Sequence, residues 1–118
     1  EIGIILKEFE GGRVRYWHDV GHATVQENLG ILKQNDLLET YSKDMIGIHL
    51  HDTKGMDDHL SPGLGEICFE EITPFIKSTV ITILEVGSST GREQLVKGSV
   101  LIREKLSSTD ERNMAQGV

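Results

Sequence analysis

The chain is 118 residues long, the size of one domain or part of one, and its 37% apolar and 26% charged side chains allow a globular fold with a modest core. A net charge of −7 at pH 7 argues against nucleic-acid binding through a broad basic surface, because phosphate needs clustered Lys and Arg, and suits a divalent cation better. Cys68 is the only cysteine and no apolar run approaches the roughly 20 residues of a spanning helix. The expectation is therefore a protein without an intrachain disulfide or membrane span, in a reducing, cytoplasmic setting.

Glu1 to Phe9 (EIGIILKEF) has an apolar pattern that fits the end of a helix or a short strand equally, and Gly11-Gly12 breaks it. The abrupt start, without methionine or cap, creates the expectation of a missing upstream segment. Val14 to His18 (VRYWH) is aromatic and β-branched enough for a strand, which runs into Asp19-Val20-Gly21-His22-Ala23. The spacing of Val25, Leu29 and Leu32 predicts a helix from Thr24 to about Leu32, and Asn35 or Asp36 can cap a second through Leu37, Leu38 and Tyr41. Met45 to Leu50 is strand again. Phe69 to about Lys77 reads as helix, with Pro74 kinking it or ending it early. Val80 to Val86 (VITILEV) is the clearest strand, so continuous in aliphatic residues that it should be covered on both faces. Arg92 to Leu106 carries a helical stripe at Leu95, Val96, Ile102 and Leu106, and residues 107–118 lose that stripe and are expected to form a flexible tail.

Strand, helix, strand, helix, strand, helix, at roughly 30 residues per strand-to-strand step, is the βαβ period, and predicts an α/β fold with parallel strands. Active groups in such sheets gather at the carboxyl ends of the strands. All three strands place theirs there: Asp19 and His22, His49, and Glu85. Between His49 and His59 the chain also packs six imidazole or carboxylate groups (His49, His51, Asp52, Asp57, Asp58, His59). That is too many for a core, and the density suggests a solvent-facing, metal-dependent rim. Carboxylate and imidazole ligands without cysteine suit zinc, manganese, cobalt, iron or magnesium, with positions left open for substrate or water.

The segments WHDVGHA (Trp17 to Ala23), GIHLHDTKGMDDHLSPGLGEICF (Gly47 to Phe69) and ITILEVGSS (Ile81 to Ser89) together resemble the closing part of the xylose isomerase-like TIM-barrel superfamily. That superfamily includes sugar and sugar-phosphate isomerases and epimerases, and the endonuclease IV type of apurinic-site nuclease. The resemblance covers about Arg13 to Leu106. It implies that Asp19, His49 and Glu85 are ligands of a divalent metal, that His22 lies beside the metal in contact with substrate or a second ion, and that Glu85 also acts as acid/base. The family's other catalytic glutamate lies on an earlier strand, with no counterpart here. Since a (β/α)₈ barrel takes about 250 residues, residues 1–106 are expected to be its last three or so β/α units.

Three functions follow as expectations: a metal-dependent isomerase or epimerase of a sugar or sugar phosphate, which is preferred; an endonuclease IV-like hydrolase, in which Asp57 and His59 ligate an additional zinc alongside His22; and a non-catalytic barrel piece. The bland alternatives stand beside them. His51 and Asp52 read as ordinary polar residues at a strand end, the Gly55 to Gly65 loop as a solvated turn, and His18, Glu66 and Cys68 as structural. Gly87 to Gly91 reads as a loop before a helix rather than a phosphate site. Three parallel strands with an open edge leave main-chain groups unpaired, so a homo-oligomer that covers the edge is expected.

Overall fold

The β-branched and aromatic runs become strands β1 (Tyr16–Asp19), β2 (Met45–Leu50) and β5 (Ile81–Leu84) of one parallel sheet, in the order β1-β2-β5. The computed structural model describes residues 1–115, and the side chains of residues 1–110. Before and between the strands lie helices α1 (Ile2–Glu8), α2 (Val20–Asn28) and α3 (Gln34–Tyr41), with α4 (Arg92–Ala115) after β5. A small antiparallel hairpin, β3 (Asp52–Lys54) with β4 (Asp57–Leu60), stands just beyond the end of β2. None of these helices is long and apolar enough to cross a membrane.

Register fixes what each face of the sheet carries. Trp17 pairs with Gly47 and Gly47 with Ile81, while Asp19 pairs with His49 and His49 with Ile83; partners in adjacent strands share a face. The opposite face holds Tyr16, His18, Ile48 and Leu50, all buried. Val20, Leu38, Phe69, Ile72 and Ile102 pack there from the helices and turns to make the core. On the first face Trp17, Ile81 and Ile83 are exposed. The expectation that Val80 to Val86 is covered on both faces is thus wrong for this chain: β5 is a sheet edge, exposed at Ile81, Thr82 and Ile83 and half-buried at Leu84.

Other departures have local causes. Helix α2 starts four residues before the expected Thr24, because Asp19 caps it by accepting the His22 N–H at 2.9 Å. Neither Asn35 nor Asp36 caps α3, whose cap position is Lys33 without a side-chain bond; Asn35 donates instead to Glu39 one turn on, at 2.9 Å. The helix expected from Phe69 to Lys77 is two 3-10 turns, Phe69–Glu71 and Thr73–Phe75. Pro74 cannot donate a backbone hydrogen bond, and so it sits where a short turn restarts. Nor does α4 fray at Ser107. It continues to Ala115, and the Thr109 hydroxyl, buried, meets the Thr73 hydroxyl at 2.8 Å. Residues 116–118 of the expected tail lie outside the described residues.

One buried carboxylate organises the loop after the hairpin. Asp52 accepts the N–H groups of Thr53, Gly63, Gly65 and Ile67 at 2.9, 2.9, 3.0 and 3.0 Å. A buried charge survives only where such bonds replace its water, so this residue is an anchor rather than an ordinary strand-end polar group.

Candidate metal centre

Asp19 is held from two sides. Its Oδ1 accepts both the His22 N–H and the Nε2–H of His51, the latter at 2.7 Å, and Oδ2 lies 3.2 Å from His22 Nδ1 and 3.6 Å from His49 Nδ1. His49 comes from the penultimate position of β2. Glu85 follows β5, and its N–H donates to the Leu50 carbonyl at 2.9 Å, so sheet pairing runs one residue past the strand and sets Glu85 beside His49. Glu85 Oε2 lies 2.6 Å from His49 Nδ1, yet the two atoms are not aligned as donor and acceptor. Among the described residues, the buried Oε2 therefore has no hydrogen-bond partner. Asp19, His49 and Glu85 each offer a ligand atom within 4.8 Å of the others, and ligands about 2.1 Å from one ion lie roughly 3 to 4 Å apart. An orphaned carboxylate oxygen converging with an imidazole nitrogen and a second carboxylate is a donor set that fits a divalent cation.

Electrostatics favour the ionised ligand. Burial opposes charge on Asp19, but the hydrogen bonds from His51 and the His22 N–H outweigh it and hold the carboxyl down at about 2. The sign is the one a carboxylate ligand requires.

A second group of rings adjoins the first. His51 and His59 are stacked at 4.4 Å, and His22 stands edge-on to each at 5.1 Å. Their nitrogens lie close enough together to suggest a three-histidine metal site, but His51 has no lone pair to give. Its Nδ1 accepts the His59 N–H at 2.8 Å, so the ring proton is on Nε2, which donates to Asp19. Asp58 links the other two rings, with Oδ2 3.2 Å from His22 Nε2 and Oδ1 2.8 Å from His59 Nδ1. His59 Nε2 is in turn 3.5 Å from Glu85 Oε1. Partial burial lowers the basicity of His59, but Asp58, Glu85 and Asp19 overcome it and raise its pKa.

The hairpin explains which residues arrive. Its register shifts between Asp52 and Lys54, so that β4 carries one extra residue, and His59 takes φ +57. Such a bulge re-aims a side chain, at a cost of about 1 kcal/mol or more for a non-glycine residue. Here it turns His59 toward Glu85. Of the residues expected from sequence, Asp19, His49, Glu85, His22 and His59 come together. Asp57 does not: it is exposed opposite Lys54 and, among the described residues, enters neither ligand group. Asp58, likewise in neither group, pairs with His22 and His59 instead, and nothing in the sequence distinguishes the two, because the bulge decides. His51, which the sequence suggests as an ordinary polar residue at a strand end, is instead buried and bonded through both ring nitrogens. Its signal was the His49-x-His51 spacing, which puts both rings on one side of an extended chain.

His18, expected to be structural, lies on the face of the sheet away from the candidate centre. It is buried in a chain of hydrogen bonds from the Tyr16 hydroxyl (2.7 Å) through His18 to Gln34 Oε1 (2.8 Å), and from Gln34 Nε2 to Thr24 (2.9 Å). No protein-family model, curated protein or solved structure matches this chain.

Proposed function

We propose that this chain belongs to a metal-dependent isomerase or epimerase of a sugar or sugar phosphate, with its three strands as consecutive units of a xylose isomerase-like (β/α)₈ barrel. One observation carries the reading: Asp19, His49 and Glu85, from the carboxyl ends of three adjacent parallel strands, converge around a buried Glu85 oxygen that no hydrogen bond from the described residues satisfies. Asp19 through Oδ2, His49 through Nδ1 and Glu85 through Oε2 would hold a divalent ion, whether manganese, zinc, cobalt, iron or magnesium. Such an ion polarises adjacent substrate oxygens and makes a neighbouring C–H acidic.

The chain's own residues then have distinct tasks. Glu85 Oε1 is not needed for ligation, so the same carboxyl can take and return a proton there. His59, 3.5 Å away, faces that oxygen. His22, half exposed beside Asp19, is placed to contact a substrate hydroxyl. An endonuclease IV-like reading would seat an additional zinc on Asp57 and His59 alongside His22. Against it stand the exposed Asp57, the short hairpin and the acidic chain.

Elemental analysis of chain purified without chelator or affinity metal tests both. Roughly one equivalent of a divalent metal, lost in Asp19→Asn, His49→Ala and Glu85→Gln, is the expected result, together with solvent deuterium entering a sugar or sugar phosphate on turnover. Two or three equivalents of zinc, sensitive to His59→Ala, would move the reading to the hydrolase. Absence of metal from a folded chain leaves the non-catalytic alternative.

A further inference from the structure

We infer that His51 is a positioning residue: its Nε2–H fixes which oxygen Asp19 presents to the centre, and its Nδ1 holds the hairpin that carries Asp58 and His59 against it. The ring is fully buried, and both nitrogens are spoken for, by Asp19 Oδ1 at 2.7 Å and the His59 N–H at 2.8 Å. That pair of bonds allows a single form, the neutral Nε2–H tautomer. Imidazolium would put a proton against a backbone N–H, and the other tautomer would turn a bare nitrogen on a carboxylate. Gly21 makes room for the ring, since a Cβ there would lie 2.0 Å from His51 Cε1. The stacked His59 ring covers the other side.

The consequence is a division of labour on one carboxylate. With Oδ1 taken by His51 and by the α2 cap, Asp19 presents Oδ2, beside which only the half-exposed His22 ring, at 3.2 Å, stands nearer than His49 among the described residues, and binds through one oxygen. Positions that a bidentate carboxylate would fill stay open for substrate. The same ring ties β2 to the bulge in β4, so the ligand and the residues facing Glu85 are set as one unit. Hydrogen bonding behind a metal ligand of this kind commonly changes affinity by about tenfold to a hundredfold when removed. The effect on metal rests on the metal-centre reading above, whereas the hydrogen-bond assignment does not.

Two measurements separate them. In metal-free wild-type protein, nitrogen-15 correlation spectra of the histidine rings should show His51 as the Nε2–H tautomer with a slowly exchanging ring proton. An Nδ1–H tautomer or an imidazolium would overturn the inference whatever metal is bound. Cobalt(II) titration followed by its visible spectrum is the second. His51→Asn keeps an acceptor near Nδ1 but does not reach Asp19, whereas His51→Gln places an N–H near Nε2. The Asn variant should bind cobalt about tenfold or more weakly with a shifted spectrum, and the Gln variant should regain most of the affinity and the wild-type spectrum. Equal loss in both folded variants, or no loss in either, rejects a donor role. Should the tautomer be as stated while wild-type chain takes up no cobalt, the metal reading falls and the His51 assignment stands.

Discussion

Gly47 shows how a single missing side chain shapes the open face. The Trp17 indole lies across it, and a Cβ at that position would come within 2.3 Å of the ring. Trp17 also stands edge-on to His49 at 5.3 Å. Gly47→Ala should therefore push the indole off its seat, costing about 1 to 3 kcal/mol as overpacking does. Because Trp17 is the only tryptophan, a shift of its fluorescence maximum would report the movement directly; an unchanged spectrum would reject this packing. His18 gives a pH dependence. Burial lowers its pKa against the bond to Gln34 and the field of Asp19, which both favour protonation. The folded chain thus takes up the proton less readily than the unfolded chain, whose His titrates near 6.5. Stability from this residue is complete above that pH and falls as the pH drops through it toward the lower folded value. Melting temperatures from pH 8 to 5 should fall more steeply for wild type than for His18→Gln. Parallel curves would show that the ring carries no such linkage.

Element by element, the sequence was most informative where burial follows a simple period. Strand β2 has the expected bounds, Met45–Leu50, since its β-branched run is bracketed by polar residues. Strand β5 was found for the same reason, but its surroundings were not, because an aliphatic run reads alike whether a neighbour covers it or not. Helix ends were legible only when the cap was local. Asp19 is both candidate ligand and cap, a double role that moved the start of α2. The late part of α4 was missed because its anchor is polar: Thr109 reaches Thr73, 36 residues earlier, and no stripe of apolar residues announces such a contact. Thr73→Val and Thr109→Val should each destabilise the fold by about 1 kcal/mol, and the double variant by clearly less than the sum. Additive losses in urea unfolding would mean that the two hydroxyls act separately. The candidate centre divides in the same way. The three strand-end groups could be placed from the βαβ period, while Asp58 and His51 depend on a bulge and a tautomer that only the folded hairpin creates.

As a whole the molecule is a sheet clothed on one side. Its radius of gyration is 14.8 Å, against about 13.5 Å for a packed domain of this length. The bare side carries Trp17, Ile81 and Ile83, beside strand edges whose main-chain groups invite pairing. Self-association is the expected outcome, read as a sedimentation mass that rises with concentration and that Ile81→Lys lowers. A constant monomer mass with a cooperative melt would reject it. The Asp52 anchor carries a consequence on the scale of time rather than shape. Gly63, Gly65 and Ile67 belong to no helix or strand, and such amides normally trade hydrogen for deuterium within moments. Bonded to a buried carboxylate, they should exchange only when the loop opens as a unit. Deuterium uptake should find these amides as slow as those of β2, and Asp52→Asn should release them together while β2 remains protected.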